Sequence, residues 1–171
     1  VTSLLASFSR APVALTLLAA QKTGQLQKEF PFSTLVGQTI VQGFIDAICL
    51  DSAGGTLVVD YKTSKLSEDY TLEQAAAAYK YQMASYALAA SRHKPGPVRV
   101  VLVFLGGDEP VESVLEFSQD QIPGLEEEIM SLIDSMAPGD FPVVGKFDSH
   151  QCPGCVAGPN AAGICLTGGQ S

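Results

Sequence analysis

Thr39-Ile-Val-Gln-Gly-Phe-Ile-Asp-Ala-Ile-Cys-Leu50, Asp51-Ser-Ala-Gly-Gly55 and Thr56-Leu-Val-Val-Asp-Tyr-Lys62 are the consecutive segments that decide the reading of this chain. The outer two are rich in β-branched and aromatic residues and the middle one has a turn composition, which predicts a β-hairpin. A turn centred on Ala53 sets Leu50 against Thr56 and Asp46 against Asp60. Directly opposed residues hold their Cβ atoms about 5 Å apart, where two carboxylates repel. A divalent cation between them reverses that sign, since Mg²⁺ and Mn²⁺ take carboxylate oxygens. Lys62 lies two residues beyond Asp60 and so emerges on the same face. Two carboxylates and an ammonium on one patch are the equipment of metal-assisted phosphodiester hydrolysis. The competing reading is that Asp60 merely salt-bridges Lys62 or Lys65 near a strand end. The second Asp favours the metal site, because a carboxylate inside an apolar strand costs free energy unless it is paired or bound.

Outward from the hairpin, the chain reads as one folded domain. Its 171 residues, 46% hydrophobic and 16% charged, suffice for a single sizeable core. Residues 1–22 predict helical stretches interrupted at Pro12, which disfavours helical geometry at Ala11. The apolar run from Val13 to Ala20 is too short to cross a membrane, and no basic segment precedes it as in a signal peptide. Glu29-Phe-Pro-Phe32 opens an extended segment that leads past Gly37 into the hairpin. Thr71 to about Arg92 predicts one long helix, with a capping box at Thr71-Leu-Glu-Gln74 and an Ala-rich interior. Val98 to Leu105 predicts a buried strand and Val111 to Phe117 a half-exposed one. Leu125 to about Met136 predicts a helix with Leu125, Ile129, Leu132, Ile133 and Met136 on one face. The resulting fold class is α/β, a mixed central sheet flanked by helices. The chain opens on Val1 rather than Met, which reads as a fragment of a longer protein.

The net charge of −8 is unevenly spread. Residues 1–99 carry nine Lys/Arg against seven Asp/Glu, whereas residues 100–145 hold ten acids and no base. The plain reading of the second stretch is a solvated acidic face. Backbone affinity for DNA comes from clustered Lys and Arg, so a strand must be delivered to this chain by something else.

Gly43-Phe-Ile-Asp46, Val58-Val-Asp-Tyr-Lys-Thr63 and Tyr79-Lys-Tyr-Gln-Met-Ala-Ser-Tyr86 together resemble the RecB-like branch of the PD-(D/E)XK nucleases. That branch includes the nuclease domains of the bacterial helicase–nucleases RecB, AddB and AdnAB. The resemblance runs from about Glu29 to Tyr86 and resumes in the cysteine-bearing tail, about half of the chain. It implies a restriction-endonuclease-like fold and Mg²⁺- or Mn²⁺-dependent cleavage of DNA. By matching, Asp46 and Asp60 ligate the metal, and the Tyr61 backbone carbonyl adds an oxygen. Lys62 orients or deprotonates the attacking water or stabilises the developing phosphorane charge. Gln82 and Tyr86, four apart on a helix face, lie beside the active site. Without the resemblance they read as a surface amide and a core aromatic. Glu29 matches a recurrent acidic position of the family and is a candidate to support the metal or Lys62; a strand-edge salt bridge is the alternative. The chain departs from the family in one respect. RecB-like nucleases usually carry a metal-ligating His on an N-terminal helix, and the histidines here are His93 and His150. Either the ligand lies on a portion outside this sequence, or the site is degenerate.

The tail holds His150-Gln-Cys152-Pro-Gly-Cys155 and, after nine intervening residues, Cys165. Several RecB-like nucleases bind a 4Fe–4S cluster through one upstream and three downstream cysteines, and Cys152, Cys155 and Cys165 resemble the downstream three. The fourth ligand is missing, since Cys49 sits an odd number of residues from Asp46 and reads as a buried core thiol. A zinc site from His150, Cys152, Cys155 and Cys165 is chemically complete, and a tail without metal is the plain alternative. The expectation is therefore a nuclease domain over residues 1–147 and a cysteine-containing tail over 148–171. Its setting is the bacterial cytoplasm, at the nucleoid, where ATP-dependent helicase domains pass it a single DNA strand for exonucleolytic cleavage. The rival of another class is a degenerate nuclease fold serving as a DNA channel or scaffold.

Overall fold

The computed structural model describes residues 2–136, apart from 52, 68 and 69 and the side chains of Thr2 and Ser3. The chain divides into two compact units, residues 1–133 and 134–171, and the whole sheet and the candidate site lie in the first. The expected boundary at residue 147 and the cysteines at 152, 155 and 165, with His150, fall outside the described residues.

Five strands form one mixed sheet in the order β1-β2-β3-β4-β5: Gln27–Val36, Thr39–Leu50, Thr56–Lys62, Val98–Phe104 and Val111–Phe117. All neighbours are antiparallel except β3 and β4, which run parallel. A parallel pair needs a long crossover, supplied here by the helices α3 (Leu72–Ala78) and α4 (Lys80–His93). The two innermost strands read VVDY and VRVVLVF because both of their faces are covered. On one face α4 packs Met83, Tyr86, Ala87 and Ala90 against Ile45, Val58, Val100 and Leu102. On the other, α1 (Thr2–Phe8) and α2 (Pro12–Lys22) set Val13, Leu17 and Ala20 against Ala47, Leu57, Val59 and Val101. The break between α1 and α2 falls at Ala11, extended at φ −64° and ψ 135° before Pro12, as the sequence predicts. Pro31 lies within β1, an edge strand, where its missing N–H costs no ladder bond.

Three expectations need correction. The single helix expected from Thr71 to Arg92 is two helices, broken at Tyr79 (φ −102°, ψ 9°). The capping box survives: the Thr71 side chain accepts from the Gln74 N–H and Gln74 Oε1 from the Thr71 N–H. The last helix, α5 (Ile122–Met136), begins a turn earlier than expected, with Ile122 and Ile129 buried while Met136 is exposed. The acidic stretch is not simply a solvated face. Glu109 pairs with Arg10, Glu126 with Arg92 and Glu128 with Lys80, and Glu112 accepts from the Val13 N–H.

Candidate active site

The β2–β3 ladder runs Leu50↔Thr56, Cys49↔Leu57, Ile48↔Val58 and Ala47↔Val59. Its next rung is Asp46 and Asp60, the pair expected from the sequence. There the backbone pairing stops, and the Tyr61 N–H donates to Asp46 Oδ2 at 2.8 Å. The carboxylate thus replaces a ladder acceptor at the point where the strands part. Continuing the β1–β2 register from Lys28↔Ala47 and Phe30↔Ile45 sets Glu29 opposite Asp46, although that rung is unpaired.

Both strands change face at this rung. Lys28 lines the groove under α1 and α2, whereas Phe30 packs on the α4 side. Ala47 lies in the α2-side core and Ile45 in the α4-side core. Two residues apart on one strand should share a face, so the alternation breaks at Glu29 and Asp46. Glu29 takes the left-handed backbone at φ 50°, which costs a non-glycine residue about 1–2 kcal/mol. Sequence alternation held no sign of this switch. It leaves Asp46 half-buried at the seam between the two faces, and Glu29 exposed.

Asp60 is buried, with its residue only 3% exposed. Its Oδ2 lies 2.6 Å from Lys62 Nζ as an ion pair, and its Oδ1 accepts from the Tyr86 hydroxyl at 3.1 Å. Burial pushes the Asp60 carboxyl above its usual range; the Lys62 ammonium opposes that shift and the Asp46 charge adds to it. Lys62 Nζ also donates to Gln82 Oε1 at 2.8 Å and stands 3.9 Å from the centre of the Tyr79 ring. Gln82 Nε2 in turn donates to the Tyr86 hydroxyl at 2.9 Å, which also reaches the Phe44 carbonyl at 3.1 Å. Burial foremost, then the Asp60 charge, raises the Tyr86 phenol; burial and Asp46 push Tyr61 up to about 12. Both phenols are therefore proton donors at neutral pH.

Asp46, Asp60, Lys62, Gln82 and Tyr86 are thus one connected set, drawn from β2, β3 and α4. Tyr79 joins it and was not foreseen. Cys49 lies in the α2-side core, buried, with its thiol pushed up first by burial. His93 packs its ring at a tilt against Phe30, with ring centres 5.0 Å apart, at the far end of α4.

The donor set suits a hard divalent cation. Asp60 Oδ2 is a buried carboxylate oxygen with no hydrogen bond of its own, only the charge of Lys62 beside it. Among the described residues no three acidic, His or Cys side chains form a closed cage. Two carboxylates with open positions are what Mg²⁺ accepts, since it keeps several waters. Asp46 and Asp60 are the residues that would hold it.

A mixed sheet with helices on both faces, bearing two acids and a Lys where the central strands part, defines a nuclease-type α/β domain. The sequence matches the family model of the PD-(D/E)XK nuclease superfamily over residues 5–158, and the chain belongs to that superfamily. Among solved structures it is similar to a candidate exonuclease from Eubacterium rectale, with 11% identity and a TM-score of 0.50. The match covers 82% of this chain and 54% of that one, so the chain spans about half of that protein's length. It is also similar to the protein SSO0001, at 20% identity and a TM-score of 0.49, over 97% of this chain and 78% of that one. At 11% identity the likeness to the Eubacterium rectale protein speaks for the fold alone. No curated protein matches the sequence. Among the described residues no helix is long and apolar enough to cross a membrane.

Proposed function

We propose that this chain is a divalent-metal-dependent deoxyribonuclease domain of the RecB-like kind, hydrolysing phosphodiester bonds with Asp46, Asp60 and Lys62. The observation that carries the reading is the Lys62 ammonium, 2.6 Å from Asp60 and tied to Gln82 at 2.8 Å beside Asp46. A bound Mg²⁺ or Mn²⁺ supplies Lewis-acid charge stabilisation and a more acidic water. The chain's own groups do the rest. Asp46 and Asp60 hold the cation, with the Tyr61 carbonyl as a further oxygen, and Lys62 orients the attacking water or meets the developing charge. Gln82 keeps the Lys62 ammonium in line, and Tyr86 fixes the Asp60 carboxylate and the Phe44 carbonyl. Glu29, opposite Asp46 in the continued β1–β2 register, is an outlying acidic support.

The substrate is a single DNA strand, cut exonucleolytically and passed in by ATP-dependent helicase domains in the course of DNA repair. The net charge of −8 supports delivery by a partner over capture from solution. The tail cysteines Cys152, Cys155 and Cys165 belong, on this reading, to a 4Fe–4S cluster of the longer protein. One observation favours the alternative of a degenerate scaffold: no third described acid, His or Cys joins Asp46 and Asp60.

Mn²⁺ titration by calorimetry on wild type and Asp60→Ala, with single-stranded DNA cleavage read in the same samples, separates the two. The nuclease reading expects binding and cleavage in wild type and neither in the variant. Absence of Mn²⁺ binding by wild type refutes it and leaves the scaffold.

A further inference from the structure

The helix break at Tyr79 has no cause in the local sequence. The preceding residues are Ala75-Ala-Ala-Ala78, the best helix formers, and no Gly or Pro interrupts them. Tyr79 nevertheless leaves the helical region for φ −102° and ψ 9°, the sparsely populated bridge region where active-site residues recur. The break is orderly. The Tyr79 N–H closes α3 on the Ala76 carbonyl at 3.1 Å, while the Tyr79 carbonyl accepts from the Met83 N–H at 2.9 Å to open α4. What the break achieves is tertiary. The Tyr79 ring lies against Phe104 of β4, centroids 6.4 Å apart, and presents its face to Lys62 Nζ at 3.9 Å.

We infer that Tyr79 is a positioning residue for Lys62, holding the ammonium by a cation–π contact at the kink between α3 and α4. The inference rests on the nuclease reading above. An ammonium has three donors, and Lys62 has three neighbours: Asp60 Oδ2, Gln82 Oε1 and the Tyr79 ring. Of these, Asp60 is shared with any cation the site binds, whereas Gln82 and Tyr79 are not. The Lys62 side chain is 13% exposed, so the contact is largely shielded from water, where cation–π attraction is strongest. Gln82 restrains Nζ along one hydrogen bond, and the ring closes the side that Gln82 leaves open. The kink is thus the means by which one crossover delivers both Tyr79 and Gln82 to the same ammonium.

The test compares Tyr79→Phe and Tyr79→Leu with wild type, measuring Mn²⁺-dependent cleavage of single-stranded DNA, Mn²⁺ affinity and melting temperature. The ring face, not the hydroxyl, is the working part, so Tyr79→Phe should cleave within about twofold of wild type. Tyr79→Leu should lose about tenfold or more in kcat, within the range such contacts carry when desolvated, at unchanged KM and unchanged Mn²⁺ affinity. Three outcomes overturn the inference while leaving the nuclease reading standing: Tyr79→Leu cleaving like wild type, Tyr79→Phe failing as badly as Tyr79→Leu, and a Tyr79→Leu loss matched by lost Mn²⁺ affinity. Failure of wild type itself to cleave overturns the nuclease reading and takes this inference with it.

Discussion

Gly106→Ala perturbs the site without touching any of its functional side chains. Leu105, just past the end of β4, donates its N–H to the Lys62 carbonyl at 2.8 Å, which brings the following residue against the chain leaving β3. A Cβ built on Gly106 stands 2.6 Å from the Ser64 carbonyl carbon and 2.7 Å from its oxygen, and nearer still to the Thr63 oxygen. These are backbone atoms, so no side chain can rotate away. Carbon contacts settle at about 3.5–4.0 Å, which requires residues 63 and 64 to retreat by about 1 Å. Overpacking of this kind costs about 1–3 kcal/mol, and at this size each kcal/mol lowers Tm by about 2–4 °C. The larger effect is on chemistry. Thr63 follows Lys62 directly, and a shift of about 1 Å in a catalytic group lowers rates by roughly 100-fold. Circular dichroism melting and a fluorescent single-strand cleavage assay, run well below the variant's Tm, read the two effects separately. Gly107→Ala is the control, because its Cβ meets only the Glu109 carbonyl at 3.3 Å. A Gly106→Ala protein that melts and cleaves like Gly107→Ala refutes the reasoning.

Asp60 gives the protein a pH-dependent stability in metal-free buffer. Its folded-state carboxyl is raised, chiefly by burial, so its contribution is present below the ordinary carboxylate range and is lost as pH rises through the folded value. Urea denaturation in EDTA at stepped pH should therefore show Asp60→Asn gaining on wild type as pH climbs out of acid, then levelling off. A pH-independent difference, or wild type gaining instead, contradicts it. Gly124→Ala should stabilise α5 by about 0.5 kcal/mol, because the position is helical and exposed and nothing lies within 4 Å of the added Cβ; an unchanged urea midpoint counts against that.

The hairpin was legible because its information is local. The turn at Asp51–Gly55 fixes the register by counting from Leu50↔Thr56 to Ala47↔Val59, which makes Asp46 and Asp60 the next rung, and a period of two sets Lys62 on the face of Asp60. The same local rules hid the two features that shape the site. A period of two cannot report a point where both strands change face, as they do at Glu29 and Asp46, since each half still alternates. Helix propensity cannot report a break that lies in an Ala run and has only tertiary contacts to account for it.

Charge was only partly legible for a related reason. Three of the acids between residues 100 and 145 look unpartnered in sequence because their partners are remote: Arg10 for Glu109, Lys80 for Glu128 and Arg92 for Glu126. The Arg10 pair ties the α1–α2 turn to the β4–β5 turn, and the other two tie α4 to α5. Such pairs, exposed to solvent and screened by it, add little to stability, so their weight is in orientation. Two of the three involve α4, at Lys80 and Arg92 near its two ends, and the Gln82 and Tyr86 that reach Lys62 and Asp60 lie between them. Acidity that argues against unaided DNA binding therefore also braces the helix that reaches Lys62 and Asp60. The two roles are compatible on the reading proposed above, in which another part of the assembly brings the strand to the site.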